Sequence, residues 1–286
     1  MKPILVMLVG VAGSGKSTYA KRYCQDYEIF SSDELRKELY GDVNNQNHND
    51  KLFQILYKRI SKALSEKKNC LFDATNLNTK RRTSFLNYIK HIDCFKECVI
   101  LATPIELCIK QNLSRERQVP EYVIWNQVKQ FNMPHYGEGW DMIMISQDYY
   151  NEDLPSLEQY FEYETAHDCN PKYHLESIQE HMRMAKKNAK NAQEDKNIVE
   201  ALAYHDIGKL FTKEFGEDGF AHYYQHENVS AYLYLTSYEF RNLETAVLIQ
   251  YHMLSYQKGV LRKRGFSERL ISKLEIINEY DRISRY

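Results

Sequence analysis

A glycine-rich stretch near the start of the sequence has the spacing of a phosphate-binding loop. Residues 10–17 read GVAGSGKS, which matches G-x-x-x-x-G-K-[ST], and they lie between a predicted strand and a predicted helix. Backbone N–H groups of such a loop, with the helix N-terminus, favour a bound phosphate chain. In this pattern the lysine contacts the β- and γ-phosphates and the serine binds Mg²⁺. The predicted ATP- and Mg²⁺-binding residues here are Gly10, Gly13, Ser14, Gly15, Lys16, Ser17 and Thr18.

Asp33 and Arg36 follow the second predicted strand, in the stretch FSSDELRKEL. They therefore lie at the carboxyl edge of the predicted sheet, where ligands bind in such folds. Asp33 is a candidate general base for an acceptor hydroxyl, and Arg36 is a candidate ligand for an acceptor phosphate. The pattern is equally consistent with Asp33 as a helix cap, which is a common role for aspartate.

Two later segments complete this first set of candidates. Asp73 ends a buried strand in FDATNLN, where an acid can orient Mg²⁺ or its water, and Asn76 is either a substrate contact or a turn residue. Arg115 and Arg117 lie between a predicted helix and Pro120. Either arginine could close on a transferring phosphoryl group, and the alternative is a pair of solvated helix-end arginines.

A second set of residues has types and spacing that suit metal ions. His205 and Asp206 are adjacent, and the intervals to the neighbouring candidates are 24, 20, 26 and 29 residues, which puts most ligands on different predicted helices. Packed helices can direct such side chains into one pocket. Imidazole and carboxylate suit Zn²⁺, Mn²⁺, Fe²⁺, Co²⁺ or Ni²⁺, and six ligands suffice for two ions that clamp a phosphate and activate water. The predicted metal ligands are His181, His205, Asp206, His226, His252 and Asp281.

Two basic residues stand one helical turn from these ligands. Lys209 follows His205 by four residues, and Arg285 follows Asp281 by four. Each could face the same pocket and hold a substrate phosphate or a developing oxyanion. The alternative for the whole set is that the histidines are scattered helix residues satisfied by hydrogen bonds.

The order of predicted elements indicates two domains. Strands at 4–9, 28–31, 70–73, 97–103 and 141–146 alternate with helices, which predicts an α/β domain with a parallel sheet. Strand signals end near residue 151, and helical patterns follow near 174–190, 195–208, 225–237, 242–253 and 266–284, which predicts an all-α domain. The predicted bounds are 1–150 for the first domain, 151–164 for a linker and 165–286 for the second domain.

Composition restricts the compartment and the partners. Residues 1–150 contain 21 Lys and Arg against 17 Asp and Glu, whereas the remainder contains 17 against 22, so the first half is better suited to polyanions. Six cysteines without a CxxC pair indicate reduced thiols of a cytoplasmic protein. We expect no membrane span, because the sequence has no run of about 20 apolar residues.

The motifs of the first 150 residues resemble those of the P-loop polynucleotide 5′-kinase family. The shared pattern is the P-loop at 10–17, the segment 31–36, the segment 73–76 and the arginine lid at 112–120. The resemblance implies that Lys16, Ser17, Asp33, Arg36 and Arg115 serve in ATP binding, base catalysis and phosphoryl stabilisation. Arg115 is preferred to Arg117 because its offset after NLS is the usual one in the family.

Residues 165–286 resemble the HD phosphohydrolase superfamily in the order H…HD…H…H…D. Together the two halves resemble bacterial bifunctional HD phosphoesterase–polynucleotide kinase enzymes, although the HD domain comes first in those proteins. This resemblance implies phosphorylation of 5′-OH ends with ATP and Mg²⁺, and metal-dependent removal of 2′,3′-cyclic or terminal phosphates. The implied partners are RNA or DNA ends and a nucleic-acid ligase.

Two alternative functions remain open from the sequence. One is a small-molecule or nucleoside kinase fused to an HD nucleotidase, and the other is an HD nuclease or sensor regulated by ATP. A basic path to Asp33 would favour a polynucleotide acceptor, and the sequence offers Arg36, Lys37 and the run 80–82. That run is either a solvated helix start or a patch that binds a nucleic-acid strand.

Overall fold

The computed structural model describes residues 2–43, 45, 47–115, 117–146, 156–167, 169–170, 174–217, 219–237 and 242–285. The chain divides into two compact units. The first contains Met1–Ile124 and Glu138–Asp148, and the second contains Trp125–Gly137 and Tyr149–Tyr286. The domain bounds inferred from sequence stay a prediction, and residues 151–155 of the predicted linker lie outside the described residues.

A five-stranded parallel sheet forms the centre of the first unit. Its strands are β1 (Ile4–Val9), β2 (Glu28–Ser31), β3 (Cys70–Asp73), β4 (Phe95–Leu101) and β5 (Met142–Ser146), in the order β2-β3-β1-β4-β5. All neighbouring pairs are parallel. The central strand β1 is almost entirely buried, as expected for a parallel sheet covered by helices. The predicted α/β fold of the P-loop kinase type is confirmed.

Six helices connect these strands: α1 (Lys16–Tyr23), α2 (Ser32–Tyr40), α3 (Asn49–Ser65), α4 (Thr79–Tyr88), α5 (Ile105–Leu113) and α6 (Glu121–Lys129). Helix α3 forms because its apolar residues recur at helical spacing and are buried on one face. Helix α2 is capped by Ser31, whose side chain accepts a hydrogen bond from the N–H of Glu34. The interpretation of Asp33 as the cap is therefore wrong, and its carboxylate is available for other contacts.

A fully buried ion pair in the first unit contradicts both interpretations of the run 80–82 for its last residue, Arg82. The Arg82 guanidinium donates to both carboxylate oxygens of Glu138, at 2.8 and 2.6 Å, and neither side chain is exposed. Arg82 also donates to the carbonyl oxygens of Asn76 and Leu77, at 3.0 and 2.8 Å. It is therefore neither solvated nor part of a nucleic-acid patch, because its charge is required to neutralise a buried carboxylate. Lys80 and Arg81 are exposed.

The second unit is mostly helical. Its helices are α7 (Ile178–Asn191), α8 (Lys196–Tyr204), α9 (Lys209–Thr212), α10 (His226–Thr236), α11 (Leu243–Tyr251), α12 (Lys258–Lys263) and α13 (Glu268–Ile283). Helices α10 and α11 are buried over almost their whole length, so they form the centre of this unit. Among the residues described, no helix of either unit combines the length and the apolar character that a membrane crossing requires.

Four short strands correct the all-α prediction for this unit. They form two antiparallel pairs, β6 (Cys169–Asn170) with β7 (His174–Ser177) and β8 (Lys213–Phe215) with β9 (Ala221–Tyr223). The sequence pattern missed them because strands of two to four residues carry too few positions for a recognisable alternation. The predicted helix at 174–190 begins only at Ile178, since Ser177 accepts from the N–H of Glu180 and caps α7.

Residues Trp125–Gly137 belong to the second unit, where buried amides hold them. Gln250 donates to the carbonyl oxygen of Phe131 at 2.7 Å and accepts from the N–H of Met133 at 2.6 Å. Asn228 donates to the carbonyl oxygen of Lys129 at 2.6 Å. These contacts satisfy backbone groups that have no partner in a helix or strand, which is the usual role of buried amides.

Candidate functional site

The phosphate-binding loop connects β1 to α1. Gly13 and Gly15 have φ angles of 83° and 85°, a left-handed conformation that favours glycine. A Cβ at Gly13 would lie 2.1 Å from the carbonyl oxygen of Cys108, whereas a Cβ at Gly15 would meet no atom within 4 Å. The loop is therefore packed on one side and open at Gly15, where backbone N–H groups can approach an anion.

Lys16 lies beneath this loop. Its ammonium donates to the carbonyl oxygens of Gly10 and Val11, at 3.0 and 2.8 Å. Burial lowers the pKa of Lys16, and the nearby Asp73 carboxylate opposes that shift. Ser17 and Thr18 follow in the first turn of α1, where both are exposed.

Asp73 ends β3 on the same sheet edge. The N–H of Gly10 donates to the carbonyl oxygen of Thr75 at 3.1 Å, which ties the phosphate-binding loop to the segment that follows Asp73. Burial raises the pKa of Asp73, and the Lys16 ammonium opposes that shift. Asn76 is buried with φ of 47°, and it donates to the carbonyl oxygen of Leu8. This geometry favours the turn role of Asn76, while Asp73 has the position of an acid that orients Mg²⁺.

Asp33 is held between two arginines. Arg36, which is only 4% exposed, donates to one carboxylate oxygen of Asp33 at 2.9 Å and to Asn49 Oδ1 at 2.8 Å. Arg117 donates to the other carboxylate oxygen at 3.0 Å. Asp33 remains 57% exposed in its side chain, so a ligand can reach it. Two guanidinium groups therefore orient a carboxylate that solvent can still reach.

Of the two lid arginines, Arg117 contacts Asp33 and Arg115 is exposed in the loop after α5. Arg115 still acts on the phosphate-binding loop through its charge. Burial, which lowers the pKa of Lys16, and Asp73, which raises it, have the larger effects, and the charge of Arg115 also lowers that pKa. In the first unit, Asp73 and Arg115 therefore lie near enough to Lys16 to influence its pKa. Arg36 and Arg117 contact Asp33 directly.

Two groups of possible metal ligands lie in the second unit and share Asp206. The first contains His181, His205, Asp206 and Asp281, and the second contains Asp206, His226 and His252. Within each group, the candidate ligand atoms all lie within 4.8 Å of one another, and all six residues are buried. The structure thus brings together every metal ligand that the sequence predicts.

The shared carboxylate of Asp206 faces both groups. Its Oδ1 lies 3.1 Å from His226 Nε2 and 3.8 Å from His252 Nε2. Its Oδ2 lies 3.5 Å from His205 Nε2 and 3.9 Å from His181 Nε2. Each oxygen therefore faces a different ligand group.

The other ring nitrogen of each histidine is held by backbone. The Nδ1 atoms of His205, His226 and His252 lie 3.0, 2.8 and 2.6 Å from the carbonyl oxygens of Leu202, Tyr223 and Ile249. Because a carbonyl only accepts, Nδ1 is the donor in each pair, and Nε2 is the ring nitrogen that faces the cluster. The Nε2 atoms of His205 and His226 are buried without a hydrogen bond, so these residues fit a metal ion.

Local backbone geometry positions this cluster. Helix α8 ends at Tyr204, so His205 and Asp206 lie in a turn and not in the predicted helix 195–208. A Cβ at Gly208 would lie 2.2 Å from the carbonyl oxygen of His226, so glycine permits the close approach of this turn to α10. The Gly208 N–H also donates to Ser230 Oγ at 2.8 Å. The approach brings Asp206 against His226.

The electrostatics of the cluster favour an ionised Asp206 and a neutral His252, whereas for His181 burial acts to lower the pKa but Asp281 and Asp206 outweigh it and raise that pKa. Burial acts to raise the pKa of Asp206, but Lys209, His205 and His226 outweigh it and hold that pKa well below its usual range. Burial, with a smaller effect of His205, lowers the pKa of His252 to about 3. Deprotonated carboxylates and neutral imidazoles are the forms that bind metal ions.

Both predicted basic residues contact cluster carboxylates. The Lys209 ammonium lies 2.6 Å from Asp206 Oδ2, and Arg285 forms an ion pair with Asp281. Glu176, which no motif identifies, has its Oε1 3.3 Å from His181 Nδ1. No motif identifies Glu138, the buried partner of Arg82, either. Neither residue type nor spacing distinguishes these two glutamates from surface glutamates, so no sequence signal identifies them.

The chain is similar to known P-loop proteins. A family model described as an AAA domain matches residues 5–134, and the first unit is a kinase-like P-loop domain. The L-seryl-tRNA(Sec) kinase of Methanococcus maripaludis is 28% identical over 172 residues, which cover 54% of this chain and 64% of that relative. The chain thus spans less than two thirds of the length of this relative.

Solved structures are similar over about half of the chain. One is the Pnkp1/Rnl/Hen1 RNA repair complex, with 20% identity and a TM-score of 0.40 over 45% of this chain and 43% of that chain. Another is Kti12 of Chaetomium thermophilum in complex with ADP-AlF3, with 18% identity and a TM-score of 0.38 over 52% of this chain and 90% of that chain.

Proposed function

We propose that this protein heals nucleic-acid ends with two separate activities. The first unit transfers the γ-phosphate of ATP to the 5′-OH of RNA or DNA. The second unit, an HD-type phosphohydrolase, removes a 2′,3′-cyclic or terminal phosphate. Such ends suit a nucleic-acid ligase, which is the partner we expect, and the compartment we expect is the cytoplasm.

The observation that carries the proposal is the position of Asp206 between two groups of histidines. A kinase alone does not need a second cluster of six buried metal ligands. Two ions bridged by a carboxylate clamp a phosphate ester and activate water, which is hydrolytic chemistry. This cluster therefore supports a phosphoesterase beside the kinase.

In the kinase unit, each side chain has a role that follows from its position. Lys16 and the backbone around Gly15 hold the phosphate chain, while Ser17 and Asp73 hold Mg²⁺ or its water. Asp33, oriented by Arg36 and Arg117, accepts the proton of the attacking hydroxyl. Arg115 stabilises the negative charge that develops on the transferring phosphoryl group, and Arg36 contacts the acceptor phosphate.

In the second unit, His181, His205, Asp206 and Asp281 would hold one ion, and Asp206, His226 and His252 would hold a second where two ions bind. Mn²⁺, Zn²⁺, Ni²⁺, Co²⁺ and Fe²⁺ all suit this donor set, and such an ion would supply a hydroxide at neutral pH. Lys209 and Arg285, which contact the cluster carboxylates, neutralise the non-bridging oxygens of the substrate phosphate.

The seryl-tRNA kinase similarity supports a second candidate acceptor. That relative is named for L-seryl-tRNA(Sec), so its acceptor is attached to a nucleic acid. The same Asp33 geometry suits any primary hydroxyl that reaches the phosphate-binding loop. A hydroxyl carried by tRNA is therefore the alternative acceptor for the first unit. The proposed activity of the second unit is the same with either acceptor.

The test compares acceptors and ends in one set of assays. The purified protein receives γ-labelled ATP, Mg²⁺ and one acceptor: 5′-OH RNA, 5′-OH DNA, seryl-tRNA or a nucleoside. A parallel assay supplies RNA with a 2′,3′-cyclic phosphate and Mn²⁺. The proposal predicts label on 5′-OH ends and opening of the cyclic phosphate. Label only on seryl-tRNA selects the alternative acceptor, and label only on nucleosides refutes end healing.

A further inference from the structure

The hairpin formed by β8 and β9 presents aromatic rings and ammonium groups on one face. Its register pairs Lys213 with Tyr223 and Phe215 with Ala221. Directly opposed residues share a face of an antiparallel pair, and alternate residues along a strand do so too. Lys213, Phe215 and Tyr223 therefore lie on the same face, which we call the Phe215 face.

This face begins at the metal cluster. The Lys209 ammonium, which lies 2.6 Å from Asp206, is 5.7 Å from the centre of the Tyr223 ring. The Tyr223 carbonyl oxygen accepts from Nδ1 of His226, a predicted metal ligand. Tyr223 is thus the residue of the hairpin that adjoins the metal ligands.

The face continues outward from Tyr223 to an exposed ring. Lys213 lies opposite Tyr223, and its ammonium is 5.2 Å from the centre of the Phe215 ring. Phe215 is 73% exposed, the largest exposure of any large hydrophobic side chain among the residues described. Cation and ring therefore alternate from the cluster outward, in the order Lys209, Tyr223, Lys213, Phe215.

Among the paired strand residues that the structure describes, the carboxylate lies off this face. Glu214 pairs with His222, so both belong to the opposite face of the hairpin. The Glu214 carboxylate is moreover 3.3 Å from the Lys129 ammonium, which neutralises it. The paired strands thus separate their charges, with the Lys213 ammonium on the Phe215 face and the Glu214 carboxylate on the other.

We propose that the Phe215 face binds single-stranded nucleic acid next to the metal cluster. The phosphates of such a strand match the Lys209 and Lys213 ammonium groups, and a base stacks on the exposed Phe215 ring whatever its sequence. Tyr223 adjoins the terminal nucleotide, and Phe215 takes a base further from the reacting end. This inference rests on the proposed phosphoesterase function, because it assigns the strand that leads to that site.

The first test measures binding without turnover. The probe is a single-stranded RNA of twelve nucleotides with a 5′-fluorescein and a 3′-hydroxyl, so neither activity can act on its ends. Phe215→Ala should weaken binding about tenfold, the loss expected for one base stack, and Phe215→Trp should retain binding. Tyr136→Ala, which removes another exposed ring of the same unit, is the matched control and should bind as wild type.

The second test uses salt and substrate length. Lys213→Gln should reduce the salt dependence of RNA binding by about one released ion. Phe215→Ala should raise KM for a cyclic-phosphate oligonucleotide but leave KM for a 2′,3′-cyclic mononucleotide unchanged. Equal effects on both substrates, or unaltered RNA binding by Phe215→Ala, would overturn the inference.

RNA binding and RNA hydrolysis together distinguish a failure of the Phe215 face from a failure of the proposed phosphoesterase. If Phe215→Ala weakens RNA binding but no RNA end is hydrolysed, the face stands and the proposed phosphoesterase fails. If RNA ends are hydrolysed but Phe215→Ala binds RNA like wild type, the phosphoesterase stands and the face is refuted.

Discussion

At the residue scale, the side chains of the proposed chemistry lie in recognisable motifs, whereas the buried Arg82–Glu138 pair of the first unit does not. Lys16, Asp33 and Asp206 stand out in the sequence because their neighbours form recognisable patterns. Arg82 and Glu138 do not, because a buried ion pair joins residues 56 positions apart that resemble surface charges. Sequence therefore predicts the reacting groups better than it predicts the groups that support them.

Replacement of Asp33 by asparagine should remove the proton acceptor but keep the shape of the side chain. We expect the rate constant of 5′ phosphorylation to fall about 10²- to 10⁴-fold with little change in ATP binding. Steady-state kinetics and ATP titration measure the two quantities. Asp26→Asn is the control. A loss of ATP binding equal to the loss of rate would contradict the role of a general base.

Replacement of Arg82 by methionine should destabilise the first unit. Glu138 would remain buried without its cation, a situation that costs about 3–5 kcal/mol of the free energy of unfolding. Urea unfolding of Arg82→Met and of the neighbouring surface variant Arg81→Met measures the difference. Equal stability of the two variants would show that the Arg82–Glu138 pair does not hold the fold.

At the element scale, a chain turn after α8 presents two residues of the metal cluster, His205 and Asp206. The periodicity of the sequence extends a helix through 195–208, yet α8 ends at Tyr204 and the turn presents His205 and Asp206. The pattern could not show this, because Ile207 and Leu210 continue the apolar spacing. The turn at His205 and Asp206 is determined by the tertiary contact between Gly208 and α10. That contact involves residues 18 or more positions away in the chain.

Gly208→Ala should therefore disturb the cluster without changing a ligand. The added Cβ would meet the carbonyl oxygen of His226 at 2.2 Å, so Asp206 and His226 must separate. We expect a several-fold lower metal content after dialysis, measured by elemental analysis. Gly259→Ala, where a Cβ meets no atom within 4 Å, is the matched control and should keep its metal. Normal metal content in Gly208→Ala would contradict the role of this approach.

The ion pairs of Lys273 with Asp195 and Glu244 should make the stability of the second unit fall in acid. The hydrogen bond from Lys273 lowers the pKa of Asp195, and it lowers the pKa of Glu244 against the opposing effect of burial. A lowered carboxyl pKa stabilises the fold above the pKa of the unfolded chain, and this stability is lost as pH falls through the folded value.

Lys273→Met should accordingly reduce the free energy of unfolding at pH 7 more than at pH 3. Below the usual carboxyl range both proteins have lost the interaction, so their stabilities should converge. Urea unfolding across this pH range measures the effect, with Lys258→Met as a control lysine on the surface. A pH-independent difference between wild type and Lys273→Met would contradict the electrostatic explanation.

At the scale of the whole molecule, one chain carries two independent sets of chemical groups in two compact units. Alternation of strands and helices was sufficient to predict the first unit, because every strand of a parallel sheet is followed by a crossover. The assignment of Trp125–Gly137 to the second unit was not predictable. It depends on the amides of Asn228 and Gln250, which lie about 100 residues later in the chain.

The most direct measurement of the central claim uses one RNA that carries both a 5′-OH and a 2′,3′-cyclic phosphate. Both ends are followed in wild type, Lys16→Ala and Asp206→Asn, with Lys21→Ala and Glu279→Gln as surface controls. We predict that Lys16→Ala loses only 5′ phosphorylation and that Asp206→Asn loses only opening of the cyclic phosphate. Loss of both activities in either variant, or retention of cyclic-phosphate opening by Asp206→Asn, would contradict two separate catalytic sites.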